Sequence, residues 1–280
     1  MMEQPSGSWT RTGSVEVPGG AIAFAELGPT EGGSPPADPV VLLHKLGGWN
    51  ADWRHVAPVL AAGQRIVAME FGGHGDSRAT EPTGFAYPLA QSTADVLAAM
   101  DGLGIERAVL AGNSLGGCVA TLIAAEHPAR VSRLGLVSVA LGKAVTEEKA
   151  LELERPGWFD EDGRPLPRDA AENARISGTL NPAIGEELNA SRWQAGRWVQ
   201  WGERGVALAN VAGVLPRVQA PTLLLYGERD PLIATFEEPS LAALPDGRAA
   251  HVPDTGRFPH QERPAETAAA LLSFLEEADR

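Results

Sequence analysis

Cysteine is almost absent from this chain: Cys118 is the only one in 280 residues. An intramolecular disulfide is therefore excluded, and nothing argues for an oxidising compartment. Long apolar runs are missing too. None approaches the roughly 18 residues that span a bilayer, so no membrane partner is expected. The opening MMEQPSGSWTRTG lacks the apolar stretch of a signal peptide, and a cytoplasmic location is the default expectation. Positive charge is scarce. Only three lysines occur, and the formal net charge is −13. Binding nucleic acid starts with neutralising phosphates, so nucleic acid is not an expected partner. The acidity serves solubility and slows the approach of anionic substrates. No metal-binding cluster, phosphate loop or dinucleotide fingerprint occurs, so neither a metal nor another cofactor is expected. Internal repeats and low-complexity tracts are lacking as well, and the oligomeric state is not legible.

What is present is an ordinary globular composition, 44% hydrophobic and 21% charged, with enough length to bury a large core. SVEV and AIAFAEL (14–17, 21–27), separated by PGG, predict a hairpin. A Gly/Pro-rich loop follows at 28–39. VVLLH (40–44) and RIVAME (65–70) are continuous apolar runs, the pattern of strands buried on both faces. Between them, 51–62 has a helical pattern. Residues 90–102 predict a helix, 108–114 a strand, 115–128 a helix ended by Pro128, and 134–139 another strand. Near the end come a strand at 222–227, a helix at 236–244, a short strand at 248–252 and a helix from about 261. Apolar strands alternating with helices imply an α/β fold with a mostly parallel sheet.

The stretch 142–215 breaks that rhythm. It is polar, holds loops and helices only, and carries Trp158, Trp193, Trp198 and Trp201, four of the seven tryptophans. An insertion between two sheet strands reads as a cap over the edge where ligands bind. Core residues 1–141 and 216–280 would then flank a cap at 142–215, with the tryptophans as candidate pocket walls or as the insertion's own core.

The strongest local signal is VLAGNSLGG (109–117). G-x-S-x-G between a buried strand and a helix is a nucleophile elbow, so tight that small residues must flank the serine. Here Gly112 and Gly116 do so, and Ser114 would project above the sheet at a helix N-terminus. Cys118, one turn on, reads as helix core.

On these residues the chain resembles the α/β-hydrolase family, and over nearly its whole length. LLHKLGGWNADW (42–53) is similar to the family's oxyanion loop, FGGHGDS (71–77) to its glycine turn, YGERDPL (226–232) to the strand end bearing the catalytic acid, and TGRFPHQERP to the histidine loop. The resemblance implies eight strands, the first antiparallel, with a cap after the sixth. It implies acyl-transfer chemistry on a small-molecule substrate, with Ser114 as nucleophile and Asp230 as acid. The backbone N–H groups of Leu46 and Leu115 would form the oxyanion hole.

The histidine loop departs from the pattern. Glu262 and Pro264 fix its register, and the residue at the histidine's place is Arg257. Guanidinium cannot take the serine proton at neutral pH. Arg257 is expected to point at Asp230 and pair with it. His260, three residues on, is the other candidate base. Lys45 and Glu70 depart as well: an ion pair between them would brace the oxyanion loop, or Lys45 is itself a substitute base. Three functions remain open: hydrolysis of an ester, lactone or carbon–carbon bond beside a carbonyl; a lyase or cyclase step with Arg257 holding an anionic group; and ligand binding without turnover.

Overall fold

The structure is a computed structural model describing residues 8–28, 38–154 and 156–276. Most of the Gly/Pro-rich loop at 28–39, and the first seven residues, lie outside that range. The apolar runs become strands: β1 (Arg11–Val17), β2 (Gly20–Leu27), β3 (Val40–Leu43), β4 (Ile66–Met69), β5 (Arg78–Ala79), β6 (Ala108–Asn113), β7 (Val131–Val137), β8 (Thr222–Gly227) and β9 (Gly247–Val252). The sheet order is β1-β2-β4-β3-β6-β7-β8-β9, with β5 pairing to β2. Neighbours from β4 to β9 pair in parallel, whereas β2 runs antiparallel to both β1 and β4. The reversed strand is thus the second and not the first. The two-residue β5, too short to show any alternation, adds a ninth strand.

The longer helices are α1 (Leu89–Gly102), α2 (Leu115–Glu126), α3 (Glu147–Leu153), α4 (Ala170–Ser177), α5 (Pro182–Ala195), α6 (Trp198–Leu208), α7 (Ile233–Ala243) and α8 (Pro264–Glu276). The helix expected at 51–62 is two short pieces, Asn50–Trp53 and Ala57–Leu60. Pro58 starts the second because its missing N–H is tolerated only in a first turn. Every residue of β3, β4 and β6 is buried, as strands covered on both faces require. On one face Met100 of α1 and Val119 and Ile123 of α2 pack against Leu110 and Leu43. On the other, Trp53, Leu60 and Phe274 of α8 cover Leu42 and Ala111. Each such side chain contributes about 1.5–3 kcal/mol by leaving water, so one charge inside β3 would break the core. Among the described residues no helix is long and apolar enough to cross a membrane.

Between β7 and β8 run α3 to α6. Local signals start and stop them. Thr146 and Asp169 cap α3 and α4 by accepting the Lys149 and Glu172 N–H groups, Pro182 opens α5, and Gly178 in the left-handed region ends α4. Arg54 ties this segment to the sheet through both oxygens of Glu187, at 2.5 and 2.8 Å.

Candidate active site

The chain leaves β3 toward β4 on one side and later enters β6 on the other, so a crevice opens at the adjoining C-terminal ends of β3 and β6. Open α/β sheets bind ligands at such a switch point. Leu43 pairs with Gly112 there, which brings the His44–Gly48 loop beside Ser114. The turn at Ser114 admits no bulk. A β-carbon on Gly112 would collide with the backbone at Gly116, and one on Gly116 with the Leu43 carbonyl. Ser114 itself has φ 51° and ψ −112°, a region that a side chain rarely occupies. Its N–H donates to the Val137 carbonyl at 3.2 Å, and Gly116 N–H to the His44 carbonyl at 3.1 Å.

His44 is fixed as the neutral tautomer. Its Nε2 accepts the Phe71 N–H at 3.0 Å, so the proton lies on Nδ1, which donates to the Lys45 carbonyl at 2.6 Å. Burial holds it well below the usual histidine range, with His74 adding to the effect. Gly48 N–H also donates to the Lys45 carbonyl. Among the described residues, the N–H groups of Leu46 and Leu115 find no acceptor, and both residues line the cavity above Ser114.

That cavity has a volume of about 230 Å³ and is walled mainly by apolar groups, with Lys45, Trp158, Arg168, Arg192, Glu203 and Arg257 among its polar or aromatic members. Glu70 is not among them. The expected Lys45–Glu70 pair is not formed: Lys45 Nζ donates to Asp52 Oδ2 at 2.8 Å, and both side chains are almost wholly buried. Glu70 instead accepts the N–H groups of Asn50 and Asp76, so it shapes the glycine turn. Lys45 is thus tied to a partner seven residues on, and no hydrogen bond links it to Ser114. The Asp52 carboxyl is pushed up by burial against the pull of Lys45.

Of the four tryptophans, Trp158 reaches the cavity. Trp193 is 58% exposed. Trp198 and Trp201 meet edge to face at 5.4 Å, and Trp198 lies over Gly73 and against Tyr87, which makes them the packing of α6 onto the glycine turn. His260 also lies elsewhere. It is fully buried against Trp53, ring centroids 4.6 Å apart, and neither ring nitrogen has a partner. Burial lowers it to about 3. None of the six histidines lines the cavity. The thiol of buried Cys118 is pushed up to about 12 by burial, which suits helix core.

Asp230 follows β8 as anticipated in sequence, 4% exposed, with Oδ1 accepting the Leu232 N–H at 2.9 Å and Oδ2 unpartnered. Burial raises its carboxyl, while the Leu232 N–H and Arg257 pull it back. The expected Arg257–Asp230 ion pair is not made. The backbone of Arg257 is clamped, its N–H donating to Ser177 at 2.7 Å and its carbonyl accepting from Asn113 at 3.3 Å. The side chain runs into the cavity, and its Nε is buried without a partner. Burial lowers the guanidinium, with Asp230 the first group to oppose that.

Arg168, Arg192 and Glu203 escape sequence reasoning, because nothing in a polar insertion marks which of its charged residues turn inward. A family model described as alpha/beta hydrolase fold matches residues 38–264. The pimeloyl-[acyl-carrier protein] methyl ester esterase of Edwardsiella ictaluri is 30% identical, over 85% of this chain and 93% of its own. The 2-hydroxymuconate semialdehyde hydrolase of a Pseudomonas strain is 29% identical over 86% and 88%. Among solved structures, the enol-lactonase of Burkholderia xenovorans superposes with a TM-score of 0.77 at 24% identity, over 95% of this chain and 100% of that one.

Proposed function

This chain belongs to the α/β-hydrolase family, and from that premise we propose that it hydrolyses a small ester, lactone or carbon–carbon bond beside a carbonyl, with Ser114 as nucleophile. The observation that carries the reading is the strained Ser114 beneath a cavity lined by Leu46 and Leu115, for whose N–H groups no acceptor is found among the described residues. Attack of Ser114 Oγ on a carbonyl carbon moves an electron pair onto the carbonyl oxygen, where those two donors stabilise it by about 3 kcal/mol each. Residues 142–215 act as the cap over the cavity, with Trp158 in its inner wall. Asp230 takes the acid's place in this reading.

The proton of Ser114 has no imidazole to receive it. Arg257 cannot accept it, and the Lys45 ammonium is engaged by Asp52. The acceptors that remain, water and the Glu203 carboxylate, are weaker bases than an imidazole, so acylation is slow, resting on the roughly 10³-fold acceleration that an oxyanion hole and binding supply. A fluorophosphonate probe tests this: slow labelling of wild type, abolished in Ser114→Ala, is expected. Complete inertness of Ser114 over hours would sink the proposal. The second reading, ligand binding without turnover, is favoured by the lack of any histidine in the cavity wall. It gains if ligands bind while no ester is cleaved.

A further inference from the structure

Three guanidinium groups converge on the cavity above Ser114: Arg168, Arg192 and Arg257. Their stems arrive from three different segments, and each is held by the fold. Asn189 grips the backbone of Arg168 from both sides, accepting its N–H at 2.9 Å and donating to its carbonyl at 2.7 Å. The guanidinium of Arg168 then lies over the Trp158 ring at 4.0 Å. Arg192, on α5 and only 7% exposed, passes over Gly47, where a β-carbon would fall 2.6 Å from its Cγ. Arg257 is clamped by Ser177 and Asn113.

Each retains a buried nitrogen with no hydrogen-bond partner: Nε of Arg168, Nη2 of Arg192 and Nε of Arg257. Leaving one such N–H unsatisfied is costly, and charged groups pay most. Like charges also press on one another here. Burial lowers Arg168 to about 10, and Arg192 and Arg257 push in the same direction. Glu203 and Glu172 lie close enough to offset part of that charge, as Asp230 does for Arg257. The lining still holds three guanidinium groups against the one carboxylate of Glu203, with unfilled N–H groups, which suits a singly charged planar acceptor.

We infer that the substrate of this site carries a carboxylate, gripped by Arg168, Arg192 and Arg257 while its scissile carbonyl lies against Ser114. The inference rests on the reading of this cavity as the substrate pocket and names the substrate class. It also reconciles the site with the chain's net charge of −13, which repels anions at long range. Selection of the anion is local, by fixed forks that match a carboxylate edge on.

Calorimetric titration of the Ser114→Ala protein with monomethyl glutarate and with its uncharged dimethyl ester tests this. The monoanion should bind roughly tenfold tighter or more, the range that charge-assisted hydrogen bonds supply. Arg168→Gln and Arg192→Gln should each shrink that ratio, and adding Arg257→Gln to both should abolish it. The comparison of the two esters in the Ser114→Ala protein needs no arginine variant and stands even if one misfolds. Equal affinities, no measurable binding of either at millimolar concentration, a preference surviving the triple variant, or tighter binding of inorganic phosphate would each overturn the inference. The two readings fail separately. Ser114 that labels without an anion preference removes the carboxylate alone, and a preference without labelling removes hydrolysis alone.

Discussion

Arg257→His places an imidazole in the wall of the cavity above Ser114, within the influence of Asp230. The backbone there is already fixed, by hydrogen bonds of 2.7 Å to Ser177 and 3.3 Å from Asn113, so the new ring starts from a set Cα. Asp230 offers Oδ2, buried and unpartnered, to accept from one ring nitrogen. The other is then free to take the serine proton. A positioned general base contributes about 10²- to 10⁴-fold. The gain here should lie near the lower end, about 10²-fold, because Arg168 and Arg192 remain close by and disfavour an imidazolium. The two arginines lower the new histidine's pKa and Asp230 raises it, so the rate should climb with pH and level off near about 6.5. Hydrolysis of p-nitrophenyl acetate, with Ser114→Ala made in the same background, measures it. A rate no higher than wild type in a folded variant, or a gain that persists without Ser114, would refute the reasoning.

Two further outcomes concern stability. Lys45→Met leaves the Asp52 carboxylate buried without its partner and should cost about 3–5 kcal/mol in urea unfolding, whereas Lys45→Met with Asp52→Leu should recover most of the loss. His260 is neutral in the fold, about 3 against an ordinary 6.5, so the unfolded chain binds the extra proton first. Its contribution is intact above pH 6.5 and declines as the pH falls toward 3, by about 1.4 kcal/mol per unit once well below 6.5. His260→Phe should therefore flatten the acid limb of a plot of unfolding free energy against pH.

The sheet was legible because burial on both faces demands continuous apolar runs, and VVLL, IVAM and TLLLYG are such runs bounded by turn residues. The turn at Ser114 was legible for a related reason: its geometry dictates Gly112 and Gly116, so the constraint is written in the residues themselves. Side-chain partners were not. Lys45 could reach Glu70 or Asp52, and the choice depends on the 3₁₀ turn at Asn50–Trp53 bringing Asp52 under the loop, where a longer helix had been expected. The tryptophans could not be told apart for the same reason, since an aromatic in an insertion packs equally well on a turn, as Trp198 does, or on a cavity, as Trp158 does. Arg168 and Arg192 were missed because an inward guanidinium looks like a surface one until the stem's route is known. Gly47, which lets Arg192 pass, was the available clue.

The backbone at Ser114 has a consequence for how this chain can change. With φ at 51° and ψ at −112°, the position suits glycine far better than any residue with a side chain. Holding serine there costs of order 1–3 kcal/mol. A glycine would relax the turn and make the molecule more stable, while removing the hydroxyl. Drift under selection for folding alone thus runs downhill, away from Ser114. Arg257 differs: its backbone lies in no strained region, so histidine or arginine can stand there at little conformational cost. Of the two positions, the serine is the one that stability cannot have chosen.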